Sequence, residues 1–255
     1  VVPWAKAKVG AIATQALANL DYGEKGLKLL EEGYSPSEVI KKLRAEDEND
    51  QSRQVGVVSA TGKSASFTGD DCYDWAGGIT GDNFACQGNI LVGEDTVQAM
   101  ADTFTNTEGD LADRLVTALE AGQKAGGDKR GRQSAALLVV KENGSYGGYN
   151  DRYIDLRVDD HETPIQELKR LLDIFYLYFG DKEVEKVELT DEVIKEVKQY
   201  LKNLDLFSGK IDAENNEEFK KSLESFYHQE NFEERKQKEG FLDKDILNYM
   251  KDKAE

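Results

Sequence analysis

The chain has 255 residues, 39% hydrophobic and 33% charged, enough for a medium folded core beside a smaller one. A net charge of −17 at pH 7 repels phosphate backbones and argues against nucleic acid or anionic membrane as the main partner. No apolar run approaches the roughly 18 residues of a membrane span, and Cys72 and Cys86, the only cysteines, are too few for a thiolate zinc cluster.

The opening Val1-Val2-Pro3-Trp4 lacks the basic and apolar regions of a signal peptide. No start methionine stands before it, so the compartment is left open between cytoplasm and cell envelope. Small and β-branched residues predict a buried strand over Lys8–Thr14. Two helices are expected next, over Gly23–Glu31 and then Val39–Leu43, the second opened by the capping box Ser35-Pro36-Ser37-Glu38. Gln54–Ser59 and Ser64–Thr68 read as a hairpin turned at Thr61-Gly62. A Gly-rich connection leads to a strand over Asn83–Gln87. Helices follow over Glu94–Phe104 and from an Asp110 cap to Ala125.

The loop Gly126–Gln133 releases a strand over Ser134–Val140 that is apolar enough to be buried on both faces. A turn at Asn143-Gly144, a strand over Arg152–Val158 and an amphipathic helix from Thr163-Pro164 to Phe179, capped by Gly180, complete this part. Beyond about Lys182 glycine becomes scarce, lysine and glutamate dominate and strands are no longer expected. Helical spacing recurs over Val193–Leu204, Asn216–Tyr227 and Asp243–Met250, with Leu206–Asp212 as a turn. The two domains expected are therefore residues 1–180 and 181–255, with the acidic segment Asp181–Glu188 as boundary.

Several segments of the first part resemble one family closely. They include Val1-Val2-Pro3-Trp4-Ala5, Gly10-Ala11-Ile12-Ala13-Thr14-Gln15-Ala16, Arg53-Gln54-Val55-Gly56-Val57-Val58 and Trp75-Ala76-Gly77. Gln87-Gly88-Asn89, the run from Gly126 to Ser134, Tyr149-Asn150-Asp151-Arg152 and Asp155–His161 continue the series in order. Together they resemble the domain-of-unknown-function 1028 family, which is grouped with the N-terminal-nucleophile hydrolases. The resemblance implies an α+β fold, an αββα four-layer sandwich, followed here by a small all-α domain. Family members normally begin with two strands ahead of the Val-Val-Pro-Trp segment. In that chemistry the first residue's amine serves as base for its own hydroxyl or thiol, and Val1 has neither. A sheet without those strands leaves edge hydrogen bonds unpaired, so self-association or a bound partner segment is expected.

Matched to such enzymes, Thr14 and Gln15 fall where the oxyanion hole is expected, and Asn89 where a polar group supports the nucleophile. The bland alternatives are a locally satisfied strand end and an Asn-capped helix start. Asp128, Arg130, Arg132 and Ser134 lie in a cationic loop framed by glycines; arginines there suit a carboxylate or phosphate ligand, or pair with Asp151 or Asp155. Asp159-Asp160-His161 suits a helix cap better than a metal site, because neighbouring strand residues point to opposite faces. No motif calls for a metal or cofactor. Phe175, Tyr176, Tyr178 and Phe179 form an aromatic stripe suited to a domain contact or a homo-oligomer interface.

Leu204–Asp212, Phe219–Phe232 and Leu242–Leu247 resemble the peptidoglycan-binding-like domain often appended to this family. Phe207, Phe226 and Tyr227 would offer it apolar contact, or simply form its core. Two functions from different classes follow. One is hydrolysis of an amide bond in peptide or peptidoglycan-type material, with Thr14, Gln15, Asn89 and Asp128 lining the site. The other is a binding or scaffold protein without chemistry of its own, directed to the cell wall.

Overall fold

A computed structural model describes residues 2–180 and 184–255; Val1 and residues 181–183, part of the expected acidic boundary, lie outside them. The chain divides into two compact units, Val1–Leu172 and Asp173–Glu255.

In the first unit, strand β1 (Pro3–Lys6) precedes the expected one and pairs antiparallel with β2 (Gly10–Ala16). The expected strand over Lys8–Thr14 therefore starts two residues late, because Lys8 adopts φ 62° and turns the chain between the two. Trp4 explains why a four-residue strand forms here. Its ring covers Gly23, where a Cβ would lie 2.1 Å from the indole, so the fit depends on a glycine remote in sequence. Helices α1 (Asp21–Glu31) and α2 (Pro36–Ala45) follow, α2 opening with the capping box of Ser35 and Glu38. Strands β3 (Arg53–Ser59) and β4 (Ser64–Thr68) form the expected hairpin and complete a sheet ordered β1–β2–β3–β4. Helices α1 and α2 cover one face of it. Ile12, Tyr22, Leu30, Val39, Ile40, Leu43, Val55 and Val57 form the core there. Each large apolar side chain so buried stabilises by about 1.5–3 kcal/mol.

The Gly-rich connection holds a further strand, β5 (Gly77–Gly81), paired with β6 (Phe84–Gly88). Helices α3 (Asp95–Asn106) and α4 (Leu111–Lys124) pack on each other, α3 also against β5 and β6 and α4 against β7 (Ala135–Val140). Asp110 stands at the N-cap position of α4 but makes no side-chain cap bond. Strand β7 pairs only with β8 (Arg152–Val158) among the described residues. It is not buried on both faces as expected: Leu137 is buried, whereas Ala136 is exposed. The other face of the four-stranded sheet meets β5, β6 and β7, which gives the layer order helices, sheet, sheet, helices. Unit 1 is an α+β fold. Helix α5 (Pro164–Phe179) runs across the division between units.

The second unit is helical, with α6 (Asp191–Asn203), α7 (Glu217–Gln229) and α8 (Lys244–Ala254). Side chains of Thr190, Asn216 and Asp243 cap the three helices by accepting from backbone N–H groups. A short antiparallel ribbon of β9 (Lys186–Glu188) and β10 (Phe241–Asp243) adds strands where none were expected. Phe207, Phe219, Phe226, Tyr227, Phe232, Ile246 and Met250 lie in its core, so these aromatics chiefly pack the unit. Tyr178 stacks on Phe232 with centroids 4.9 Å apart, which places that member of the stripe in the packing of unit 2.

Candidate functional site

Alternation along β2 decides which expected residues meet. Thr14 follows Ile12 onto the helix-covered face, is fully buried, and donates its hydroxyl to Asn19 O at 3.4 Å. Its backbone N–H donates to Val2 O at 3.1 Å. Gln15 turns the opposite way, onto the face carrying Ala11 and Ala13. Thr14 and Gln15 are adjacent in sequence and separated by the sheet.

On its own face Gln15 meets a residue the sequence reading did not single out. Gln54 on β3, its cross-strand partner, is fully buried. The Gln15 amide donates to Gln54 Oε1 at 2.9 Å and to Gln87 O at 3.3 Å. Asn89 Nδ2 donates to the same Gln54 oxygen at 3.1 Å. Gln54 Nε2 in turn donates to Gly88 O at 2.8 Å, Thr68 Oγ1 at 2.9 Å and Gly77 O at 3.2 Å. Gln54 thus ties β2, β3, β4, β5 and the end of β6 at one point, with Gln15 and Asn89 as neighbours. A polar residue alternating with Gly56 and Val58 on a strand was the only signal for it in the sequence. Gly56 matters to the same arrangement: Gln87 lies over it, 2.2 Å from where a Cβ would stand. The buried Gln87 Oε1 has no hydrogen-bond partner among the described residues.

Asp128 is brought to this end by backbone pairing with Leu91, and Lys129 N donates to Ile90 O at 2.8 Å. Its carboxylate is gripped by Arg130, with Nη2 to Oδ2 at 2.6 Å and Nε to Oδ1 at 3.0 Å. The guanidinium holds the carboxyl below the usual carboxylate range. Arg130 therefore pairs inside its own loop, not with Asp151 or Asp155; Asp155 pairs with Arg152. Arg132 and Ser134 lie exposed where the loop enters β7. Burial raises the Cys86 thiol to about 11, so it is not a thiolate at neutral pH. Cys72 and Cys86 are unbridged. His161 Nδ1 accepts from Thr163 N at 3.0 Å ahead of α5, and the described residues contain no cluster of metal-ligating side chains. What the site offers chemically is a neutral carboxamide platform beside one internally paired cationic loop.

A second candidate lies in unit 2. A cleft of about 540 Å³ belongs to unit 1, and one of about 420 Å³ lies between the start of α7 and residues 236–242. The smaller cleft has Phe219, Tyr227 and Phe241 as apolar walls and ion pairs along its rim. Lys220 Nζ stands 3.1 Å from Glu239 and 3.5 Å from Glu217, and Lys236 Nζ 2.8 Å from Glu224. The Tyr227 hydroxyl is buried without a partner among the described residues, and burial pushes it up to about 12. It stays a neutral donor throughout the physiological range.

Residues 1–168 match the model of a family of unknown function, DUF1028, and residues 178–250 match a model described as a putative peptidoglycan binding domain. A crystal structure of a protein from Silicibacter pomeroyi, assigned to the same DUF1028 family, is similar at 28% identity and a TM-score of 0.63. The similarity covers 69% of this chain and 74% of that one. No curated protein matches the chain.

Proposed function

Since this chain belongs to the DUF1028 family of unknown function and carries a peptidoglycan-binding-like module, we propose that it is a cell-wall-directed binding protein whose unit 2 cleft holds glycopeptide. The observation carrying this reading is the cleft itself. Phe219, Tyr227 and Phe241 line it as an apolar wall beside a charged rim. Opposite charges of Lys220, Lys236, Glu217, Glu224 and Glu239 along one rim suit a ligand bearing both carboxylates and amines, as peptide stems do. Phe241 supplies a face for the apolar side of a sugar ring or an alanine methyl.

Co-sedimentation of the full chain with purified insoluble peptidoglycan tests this. Phe241→Ala, which removes a part-exposed ring from the cleft wall, is expected to weaken binding about tenfold. Wild-type protein that stays in the supernatant, or a Phe241→Ala variant that binds like wild type, rejects the cleft as the site.

A second reading, hydrolysis of an amide bond on the N-terminal-nucleophile pattern, draws support from the uncharged Gln15–Gln54–Asn89 cluster with Asp128 near it. In the Gln15–Gln54–Asn89 cluster the hydrogen bonds run among carboxamides, the Thr68 hydroxyl and main-chain carbonyls, so this reading needs a Thr, Ser or Cys nucleophile from elsewhere. Intact mass and N-terminal sequencing of protein expressed from the complete gene decide it. A new Thr, Ser or Cys terminus ahead of Val1 supports hydrolysis, and its absence leaves binding alone.

A further inference from the structure

Four lysines and three glutamates line the cleft of unit 2, so it carries a positive charge in excess on a chain whose net charge is −17. The ion pairs account for all three glutamates and two of the lysines: Lys220 lies between Glu217 and Glu239, and Lys236 meets Glu224. Lys221 and Lys238 are left, and neither has a carboxylate partner among the described residues. Exposed pairs of the first kind contribute about 0–1 kcal/mol each, so they exchange readily with ligand charges. The polarity of the cleft is set by the two lysines that remain.

Lys238 is held in place on the cleft wall. Its Nζ lies 4.8 Å from the centroid of the Phe241 ring, and Phe241 N donates to Lys238 O at 3.1 Å, which folds residues 238–241 into a turn. Within that turn Gly240 takes φ 89°, and nothing stands within 4 Å of the place its Cβ would occupy. An ammonium, an open stretch of backbone and an aromatic ring thus lie side by side, where a ligand can approach the main chain closely. Lys221, on α7, belongs to the other wall.

We propose that Lys238, with Lys221 across the cleft, forms a subsite for a free carboxylate of a peptide stem, so that unit 2 favours wall material whose stem carboxylates are free over material in which they are capped as amides. This rests on the reading of unit 2 as the wall-binding unit. An ammonium is a compact point charge that any anion can meet; the Phe241 ring beside it supplies the selection. It favours an anion borne on a small apolar carbon, such as a carboxylate next to a methyl, over a phosphate set among hydroxyls. The remainder of the protein works in the opposite direction. Its acidic excess repels a carboxylate-rich wall, so without this subsite the loss of wall carboxylates would strengthen binding.

Co-sedimentation of the full chain with three preparations of one insoluble peptidoglycan tests the subsite. They are the native wall, the wall stripped of phosphate polymers with hydrofluoric acid, and the stripped wall with its carboxylates converted to carboxamides by carbodiimide and ammonia. Wild type is expected to bind the first two alike and the amidated wall about tenfold more weakly. Lys238→Gln should bind the stripped wall about tenfold more weakly than wild type does and lose nothing further on amidation. Lys202→Gln, which removes an exposed lysine of α6 outside the cleft, should behave as wild type. Melting temperatures equal to that of wild type check that both variants fold, and the amidation arm needs no variant. Amidated wall bound as tightly as the carboxylate form, or a folded Lys238→Gln that binds like wild type, overturns the subsite while leaving unit 2 a wall binder. Binding lost on phosphate removal overturns it in favour of a phosphate ligand. Wild type that sediments with none of the preparations rejects the wall reading itself, and the subsite with it.

Discussion

Asp47 shows how a single carboxylate fastens the connection between α2 and β3. Its side chain is almost fully buried beside Arg53, whose Nε donates at 2.9 Å, and it accepts from Asn19 Nδ2 at 2.9 Å and Asn49 N at 3.0 Å. Arg53 above all holds the Asp47 carboxyl well below the usual carboxylate range. A depressed folded-state pKa contributes stability that is present above the unfolded value of about 3.9 and is lost as pH falls through the folded one. Thermal melts are therefore expected to shift downward below about pH 4. Asp47→Asn should melt lower at neutral pH, by roughly 2–4 kcal/mol of stability, and should show a flatter acid limb. An acid limb identical to wild type would mean that another carboxylate governs it. Lys198 is the corresponding feature of unit 2. It is fully buried between Phe207 and Phe219, with Nζ donating to Asp212 Oδ1 at 2.6 Å and Glu214 O at 2.8 Å. Hydrogen bonding to Lys198 lowers the Asp212 carboxyl.

Among the elements, the caps of unit 2 are open to simple measurement. Asn216 Oδ1 accepts from Phe219 N at 3.0 Å, and Phe219 is a fully buried core residue on the first turn of α7. Asn216→Ala is expected to lower urea stability by about 1 kcal/mol with an unchanged m-value; no change would mean that the core alone sets the start of the helix. Such signals are local, and they are the part of the fold that was legible in advance. Pro36 and the Ser35–Glu38 box announce α2, Thr61-Gly62 announces the β3–β4 turn, and Pro164 and Gly180 bracket α5. The strands that escaped notice depend on distant partners. β1 needs Trp4 against Gly23, and β5 is a glycine-rich run whose strand character comes from pairing with β6. The candidate site divides along the same line. Gln15 and Asn89 were visible as polar residues in distinctive segments, but the residue joining them is Gln54, and cross-strand register is not written in any local window. Thr14 and Gln15, neighbours in the sequence, carry their side chains on opposite faces of the strand.

At the scale of the whole molecule, each unit has its own core, with buried residues of unit 2 in one cluster and those around α1, α2 and the four-stranded sheet in another. Unit 2 is near the lower size at which a domain stands alone, and its aromatic core compensates for that. Calorimetry of the full chain is expected to show two transitions, and residues 173–255 expressed alone should reproduce one of them. A single transition, together with an unfolded isolated unit 2, would show that the two cores melt as one. The acidic excess spread over the chain should also make both transitions rise with added salt.

The ribbon of β9 and β10 has a consequence for how the protein is made. It joins residues 186–188 to residues 241–243, almost the two ends of unit 2, with α6 and α7 between them. In unit 1, β1–β2 and β3–β4 pair residues that leave the ribosome close together, and β2 meets β3 across α1 and α2 early in the chain, so that sheet can be assembled while synthesis continues. Unit 2 cannot set its ribbon register until Asp243 has emerged, when α6 and α7 have already been made. Its closure therefore has to wait for the synthesis of α6 and α7, and translation arrested before that point should leave a protease-sensitive tail on an already resistant body.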